Sequence, residues 1–188
     1  MKIVTAFNNE FQRLGENCCE SLRRHCERHQ NETWQHYHIP GDFQYPPSFF
    51  KLNVILSALS DSEQVLWIDA DAMIVGKKPM SELLANTTLN IARDENGPNC
   101  GVMAWTQTSE SFQALERLLA LRDEFKDHIW WEQAALMTFI DDLAVHWQEK
   151  RIFNAYQEDQ CGETQILHIP GLHIHERTQI LEEALTKC

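Results

Sequence analysis

The chain has 188 residues, of which 43% are hydrophobic and 23% are charged, a composition typical of one globular domain with its own core. Its formal net charge of −12, from 28 acidic and 16 basic residues, argues against nucleic acid or an anionic membrane surface as the main partner. The N-terminus lacks the basic and apolar regions of a secretion signal, and no apolar run is long enough for a membrane span. We therefore expect a single domain over residues 1–188, a cytoplasmic location and six reduced cysteines, with a truncated luminal catalytic domain as the alternative.

Strand and helix patterns alternate along the chain. The first half is predicted to contain a strand over Lys2–Phe7, a helix over 10–29, a strand over Thr33–Ile39, a helix over Phe49–Leu59, a buried strand over Val65–Ile68 and a short helix over 80–85. The second half is predicted to contain strands over Leu89–Ala92 and Gly101–Trp105 around the loop Arg93–Cys100, helices over 112–125 and Trp130–Ile140, a strand over Leu143–Trp147, a strand over Thr164–Ile169 and a helix over Thr178–Thr186. This order predicts a three-layer α/β/α, Rossmann-like domain with a mostly parallel central sheet.

Two carboxylates, Asp69 and Asp71, follow the strand Val65–Ile68, and a second apolar run comes after them. Because strand side chains alternate between faces, we expect both to point to the same side. Two anionic groups held together require a compensating cation, and hard oxygen ligands favour Mg²⁺ or Mn²⁺. The alternative is a strand that ends in a turn with solvated aspartates. Ligands of such sheets bind beyond the carboxyl ends of the strands, where both the aspartates and Asn8 are expected.

The stretch from Val65 to Asp71 resembles the DxD motif of GT-A nucleotide-sugar glycosyltransferases, most closely that of glycosyltransferase families 8 and 34. Further stretches resemble the pattern of these families in the same order: Ile3–Asn9, Phe50–Leu52, Asn99–Met103, Trp131–Leu136, Phe153–Tyr156 and His168–Gly171. The resemblance implies a GT-A fold and metal-dependent transfer of a sugar from a nucleotide-sugar donor, with uridine diphosphate (UDP) as the leaving group, to a hydroxyl of a glycan or another acceptor. Retention of configuration is implied as well.

The same resemblance implies the roles of individual residues. Asp69, Asp71 and His168 would bind Mn²⁺ or Mg²⁺, and Gln133 and Glu132 would be catalytic. The residues implied to contact the donor are Thr5, Ala6, Asn8, Lys51, Asp69, Ala70, Asn99, Gly101 and Gly171.

The chain departs from the family pattern after Gly171, where members usually carry a lysine that binds the diphosphate. Only Arg177, His173 or His175 could take its place here, and a neutral imidazole would bind a diphosphate more weakly than lysine near pH 7.

Several of these residues have simpler interpretations that the sequence leaves open. His168 would otherwise be a histidine hydrogen-bonded to backbone at a strand end. Lys51 would balance the carboxylates, touch the diphosphate, or be a solvated helix residue. Asn99 and Gly101 would contact the donor sugar, with Asp94 binding its hydroxyls, or would belong to a simple Gly-Pro turn.

Glu132 and Gln133 decide between two mechanisms. If Gln133 faces the donor sugar, the resemblance implies retention, with Glu132 binding a sugar hydroxyl or stabilising the transition state. If Glu132 instead reaches the acceptor hydroxyl, it is the general base of an inverting transferase. Otherwise Glu132 only complements the dipole of its helix. Trp130 and Trp131 form either a platform for the acceptor sugar or part of the core.

Two other functions also remain open. A nucleotidyltransferase pairs carboxylates at a strand end too, but the segment from Phe7 to Glu10 is not the Gly-rich, basic loop that would bind a triphosphate. A non-catalytic nucleotide- or sugar-binding protein would keep the scaffold and tolerate the loss of the lysine. His25 and His29 have the spacing of a zinc pair on a helix, but we expect them on a solvated surface.

Overall fold

The computed structural model describes residues 1–187, and Cys188 lies outside the described residues. The strands are β1 (Lys2–Phe7), β2 (Thr33–His38), β3 (Gln64–Ile68), β4 (Ala72–Ile74), β5 (Leu89–Asp94), β6 (Gly97–Thr106), β7 (Val145–Gln148) and β8 (Ile166–His168). The α-helices are α1 (Gln12–Arg28), α2 (Pro47–Leu59), α3 (Ser109–Ala120), α4 (Arg122–Phe125), α5 (Trp131–Met137), α6 (Lys150–Phe153) and α7 (Ile174–Leu185). None of the helices within residues 1–187 combines the length and the apolar character needed to cross a bilayer.

The central sheet has six strands in the order β2-β1-β3-β6-β5-β7. Strands β2, β1 and β3 are mutually parallel, β6 runs antiparallel to both of its neighbours, and β7 is parallel to β5. Five strands therefore share one direction and only β6 is reversed. The predicted α/β class with a mostly parallel central sheet is confirmed.

Side chains of the central strands alternate between two apolar layers, which explains why these segments form buried strands. On one face, Val65 and Trp67 pack with α2, α3 and α5. On the other face, Leu66 and Ile68 pack with α1 and with the segment that carries β4 and β8. Helices and connecting segments thus cover both faces of the sheet.

A second, two-stranded sheet pairs β4 with β8 in antiparallel register, so that Ala72 lies opposite His168. The backbone N–H of Ile169 also donates to the carbonyl of Asp71 at 3.0 Å. This small sheet packs against α1 and α7 through Leu14, Met73 and Leu181. It therefore places a late segment of the chain directly beside the end of β3.

Some segments differ from the sequence predictions. The predicted loop Arg93–Cys100 is wrong, because β5 and β6 continue through it and form a hairpin with Asp94 opposite Gly97. The segment Phe153–Tyr156, whose resemblance to the family pattern implies a strand, contributes only an isolated bridge between Ala155 and Leu167. The predicted helix over 80–85 is reduced to one 3₁₀ turn, Met80–Glu82.

Candidate active site

The two aspartates lie in the turn that connects β3 to β4, at the carboxyl end of β3. The N–H of Asp69 donates to the carbonyl of Gly101 at 2.8 Å, and the carbonyl of Asp69 accepts from the N–H of Ala72 at 3.0 Å. These bonds fix the turn between the central sheet and the small sheet. The two carboxylates approach each other because of this turn, and not because of strand alternation as expected.

Asp69 pairs with a buried lysine. The Nζ of Lys51, whose side chain is 3% exposed, lies 3.0 Å from Asp69 Oδ1 and 2.9 Å from Glu132 Oε1. It also donates to the carbonyl of Cys100 at 3.1 Å, so that three acceptors surround an ammonium group with three N–H donors. The indole Nε1 of Trp67 donates to the same Oδ1 of Asp69 at 2.5 Å. Among the roles considered for Lys51, this position fits the one in which the lysine balances the carboxylates, here those of Asp69 and Glu132.

Asp71 pairs with groups from the last part of the chain. The Nη1 of Arg177, on α7, lies 2.7 Å from Asp71 Oδ2, and the Nε2 of His168 lies 3.3 Å from Asp71 Oδ1. Of the three candidates to replace the missing lysine, Arg177 is the one that reaches the aspartates. His173 caps α7 and is exposed, and His175 is exposed as well.

The ring of His168 is held from two sides. Its Nδ1 lies 2.9 Å from the amide Oδ1 of Asn154, so that Nδ1–H donates and Nε2 is turned toward Asp71. The ring packs against the backbone of Gly101, where an added Cβ would lie 2.2 Å from His168 Cε1. Glycine is therefore required at position 101, because the ring of His168 lies too close to leave room for a Cβ.

Burial and neighbouring charges shift the pKa values of these groups in opposite directions. Burial alone would lower the pKa of Lys51, but Asp69 and Glu132 outweigh it and raise that pKa above its usual value. Burial raises the pKa of Asp69, an effect that Lys51 opposes and Asp71 increases. Burial also acts to raise the pKa of Asp71, but His168 and Arg177 outweigh it and hold this pKa below its usual value.

The arrangement fits a divalent cation. One donor atom each from Asp69, Asp71 and His168 lies within 4.8 Å of the other two, a spacing that an ion with bonds of about 2.1 Å can bridge after small shifts. Nε2 of His168 and Oδ1 of Asp71 are both acceptors when Nδ1 carries the proton, and two acceptors 3.3 Å apart require a cation or a proton between them. Two carboxylates and one imidazole suit Mn²⁺ better than Mg²⁺.

A cleft opens beside this cluster, between the end of β1 and the N-terminus of α2. The residues lining it include Ala6, Phe7, Asn8, Phe11, Ile39, Pro47, Ser48, Lys51, Trp67, Asp69, Ala70, Asp71 and Arg177. The structure therefore brings Ala6, Asn8 and Ala70 together with the aspartates. The side chain of Thr5 does not line the cleft, because it is fully buried against Cys18 of α1.

The other residues assigned to the donor lie outside this cleft. Nδ2 of Asn99 donates to Asp94 and to the hydroxyl of Tyr156, at 2.7 Å each, and its Oδ1 accepts from the N–H of Gly101. Asn99 thus supports the strand on which Gly101 lies, and contact with a donor sugar remains a prediction. Gly171 is exposed, with φ of +81°, in the turn that precedes α7.

The start of α5 carries the residues predicted to be catalytic. Glu132 is 5% exposed and paired with Lys51, whereas Gln133 is partly exposed. Trp131 has φ of +35°, a left-handed conformation that non-glycine residues rarely adopt. Trp130 and Trp131 are 37% and 40% exposed, so that neither is a core residue.

Sequence reasoning missed two contacts of the candidate site and misplaced one histidine. Trp67 lies two residues before Asp69, a spacing that alternation along β3 would have revealed, whereas no pattern connects Asn154 with His168. The prediction that His25 is solvated is wrong, because it is fully buried and lies 2.6 Å from a carboxylate oxygen of Glu32.

No protein-family model matches the chain, and no curated protein matches it by sequence. Solved structures do match. A glycosyltransferase involved in the glycosylation of the major capsid of PBCV-1 superposes with a TM-score of 0.82 and 16% identity, over 97% of this chain and 98% of that one. The galactosyltransferase LgtC, in complex with donor and acceptor sugar analogues, gives a TM-score of 0.68 and 12% identity over 97% and 96%. The glycosyltransferase GlyE from Streptococcus pneumoniae TIGR4 gives a TM-score of 0.66 and 15% identity, over 99% of this chain and 62% of that one.

At these identities the likeness establishes the fold. The GT-A-like fold that the DxD resemblance implies is therefore confirmed, and in two of these structures it extends over nearly the whole length of both chains. A shared fold does not fix a shared reaction, which depends on the site.

Proposed function

We propose that this protein is a metal-dependent glycosyltransferase that moves a sugar from a nucleotide-sugar donor, with UDP as the leaving group, to a hydroxyl of a glycan or another acceptor. The observation that carries this proposal is the convergence of Asp69, Asp71 and His168 beside a cleft at the carboxyl end of the parallel strands. The fold shared with solved glycosyltransferases supports it.

Within this proposal each side chain has a defined task. A divalent cation bound by Asp69, Asp71 and His168 would act as a Lewis acid that neutralises the charge developing on the leaving diphosphate. Asn154 holds the Nδ1–H of His168 and so keeps Nε2 available as a ligand. Lys51 holds Asp69 in place and offsets part of the negative charge. The apolar walls of the cleft, such as Phe7 and Ile39, exclude water around the nucleoside.

The surroundings of Glu132 support retention over inversion. A general base must be free to accept the proton of the acceptor hydroxyl, whereas the carboxylate of Glu132 is buried and held by Lys51 at 2.9 Å. We assign Glu132 to the charge balance around Lys51. Gln133, the partly exposed neighbour, is then the residue that faces the donor sugar.

Calorimetric titration of UDP tests the proposal. We expect binding in Mn²⁺, no detectable binding in chelator, and a loss of about 100-fold or more in Asp71→Asn, because a metal ligand is removed. Asp61→Asn is the matched control, since Asp61 is exposed and pairs with Lys2 away from the site. An affinity for UDP that is unchanged by chelator and by Asp71→Asn would contradict the assignment of the aspartates.

A second step distinguishes an enzyme from a binding protein. Hydrolysis of a panel of UDP-sugars, measured with and without Mn²⁺, should reveal turnover of one donor. UDP binding without turnover of any donor or transfer to any acceptor would instead favour the non-catalytic scaffold.

A further inference from the structure

The guanidinium of Arg177 forms an ion pair with one of the carboxylates proposed to bind the metal. Nη1 of Arg177 lies 2.7 Å from Asp71 Oδ2, and Nε2 of His168 faces Oδ1 of the same carboxylate. Nitrogen atoms of the chain itself therefore engage both oxygens of Asp71. A cation entering the site must compete with Arg177 for this carboxylate.

The charges around the site show what Arg177 does to a metal ion that arrives alone. Asp69, Asp71 and Glu132 supply three negative charges, and Lys51 and Arg177 supply two positive ones. With Arg177 in place the cluster retains only one excess negative charge, and the guanidinium also repels a divalent cation at short range. Without Arg177 the excess would be two.

The remaining donors of Arg177 point to a second partner for its guanidinium. Its Nε is buried and has no hydrogen-bond partner among residues 1–187, although the side chain lines the cleft. A buried donor without a partner is costly, and a guanidinium offers five donors in a geometry that matches phosphate oxygens. If the guanidinium moved away from Asp71, a diphosphate in this cleft would supply acceptors for Nε and for the other donors of Arg177.

We propose that Arg177 is a latch that pairs with Asp71 until metal and diphosphate arrive together, whereupon the guanidinium moves from Asp71 to the diphosphate. The inference rests on the proposed function, because it uses the same metal site and the same leaving group. It predicts that Mn²⁺ alone binds weakly and that Mn²⁺ and UDP each increase the affinity for the other.

The test is titration of Mn²⁺ alone, with free Mn²⁺ followed by electron paramagnetic resonance. Arg177→Gln should bind Mn²⁺ about tenfold or more tightly than the unmodified protein, because the competing cation is gone. Structural damage would weaken Mn²⁺ binding, so that tighter binding reports the latch itself. Arg177→Lys, which keeps the charge, should stay near the unmodified protein. Arg13→Gln is the control, since Arg13 pairs with Glu182 of the same helix α7 on the exposed surface.

The outcomes separate the latch from the proposed function. Mn²⁺ affinity in Arg177→Gln that is equal to or below that of the unmodified protein overturns the latch, even where UDP binds with Mn²⁺. Absence of UDP binding in Mn²⁺ overturns the proposed function, whereas tighter binding of Mn²⁺ alone by Arg177→Gln would still support competition for Asp71. Equal tightening in Arg13→Gln would also overturn the latch, because the effect would then come from net charge.

Discussion

Two buried histidine–carboxylate pairs lie near opposite ends of the central strands. We call these two ends of the sheet the amino edge and the carboxyl edge. At the amino edge, Nε2 of His25 lies 2.6 Å from Glu32 Oε2, and the N–H and hydroxyl of Ser81 donate to Oε1 at 2.8 and 2.7 Å. At the carboxyl edge, His168 faces Asp71 at 3.3 Å. The residue types are alike, but Asp71 lines the cleft beside a second carboxylate, Asp69, whereas Glu32 does not line the cleft.

The two edges differ in how well the protein itself stabilises the anion. Burial acts to raise the pKa of Glu32, but its bonds from His25 and Ser81 outweigh this and lower it to about 2. At the other edge, burial raises the pKa of Asp69, with Asp71 adding to the effect. The pKa of Asp71 is lowered like that of Glu32, but Asp71 lies beside Asp69 and lines the cleft, so that this pair of crowded carboxylates is available to a ligand.

The largest effect in this comparison should come from removing the buried cation at the carboxyl edge. Lys51→Met leaves Asp69 and Glu132 without their partner, and we expect the free energy of unfolding to fall by about 3–5 kcal/mol, measured by urea denaturation. The double variant with Glu132→Gln should recover part of this loss, because one unpaired charge is removed. A loss below about 1 kcal/mol for Lys51→Met would show that the carboxylates do not depend on it.

The amino edge should respond to pH in a defined way. The pKa of Glu32 is lower in the folded than in the unfolded state, so its contribution is complete above about pH 4.5 and disappears as the pH falls toward 2. The shift corresponds to roughly 3 kcal/mol at pH 7. Glu32→Gln should lose most of this stability at neutral pH and flatten the pH dependence below 4.5.

Glu27→Gln is the control for Glu32, because Glu27 lies on the exposed side of α1, where it pairs with Arg23. We expect it to change stability by less than about 0.5 kcal/mol, as for other exposed pairs. Equal losses in the two variants would mean that burial does not distinguish Glu32. Binding of Mn²⁺ should be unchanged in both, since neither residue lies near the cleft.

A smaller effect, confined to the carboxyl edge, should follow from Gly101→Ala. The new Cβ would lie 2.2 Å from Cε1 of His168 and must displace the ring, so that we expect Mn²⁺ affinity to fall by about 10- to 100-fold. Gly41→Ala is the control, because a Cβ there meets no atom within 4 Å. Unchanged Mn²⁺ binding in Gly101→Ala would argue that His168 is not a ligand.

The sheet was largely predictable from sequence because its central strands bury both faces. The apolar run Val65–Ile68 predicts a buried strand, and the spacing of Leu14, Cys18 and Leu22 predicts a helix with one buried face. The tip of the β5–β6 hairpin was not predictable, because Asp94 and Asn99 are polar and satisfy each other across the hairpin. No apolar pattern in the sequence marks such a strand.

The candidate site was predictable in its residue types but not in its contacts. Asp69 and Asp71 could be chosen because carboxylates at a strand end bind hard divalent ions, whereas His168 was chosen through the resemblance. The contacts of Arg177 and Asn154 with the site depend on the packing of α7 and on the bridge at Ala155, which leave no periodic trace in the sequence. The turn after β3 likewise depends on the hydrogen bond that Gly101 accepts.

The ladder between β4 and β8 has a consequence for how this protein folds. It joins Ala72 to His168, so that the three proposed metal ligands come together only after a very long loop has closed. Pairing between segments so distant in sequence is slow, and the site is therefore expected among the last parts of the molecule to form. Any ligand bound there selects fully folded chains and raises the melting temperature by mass action.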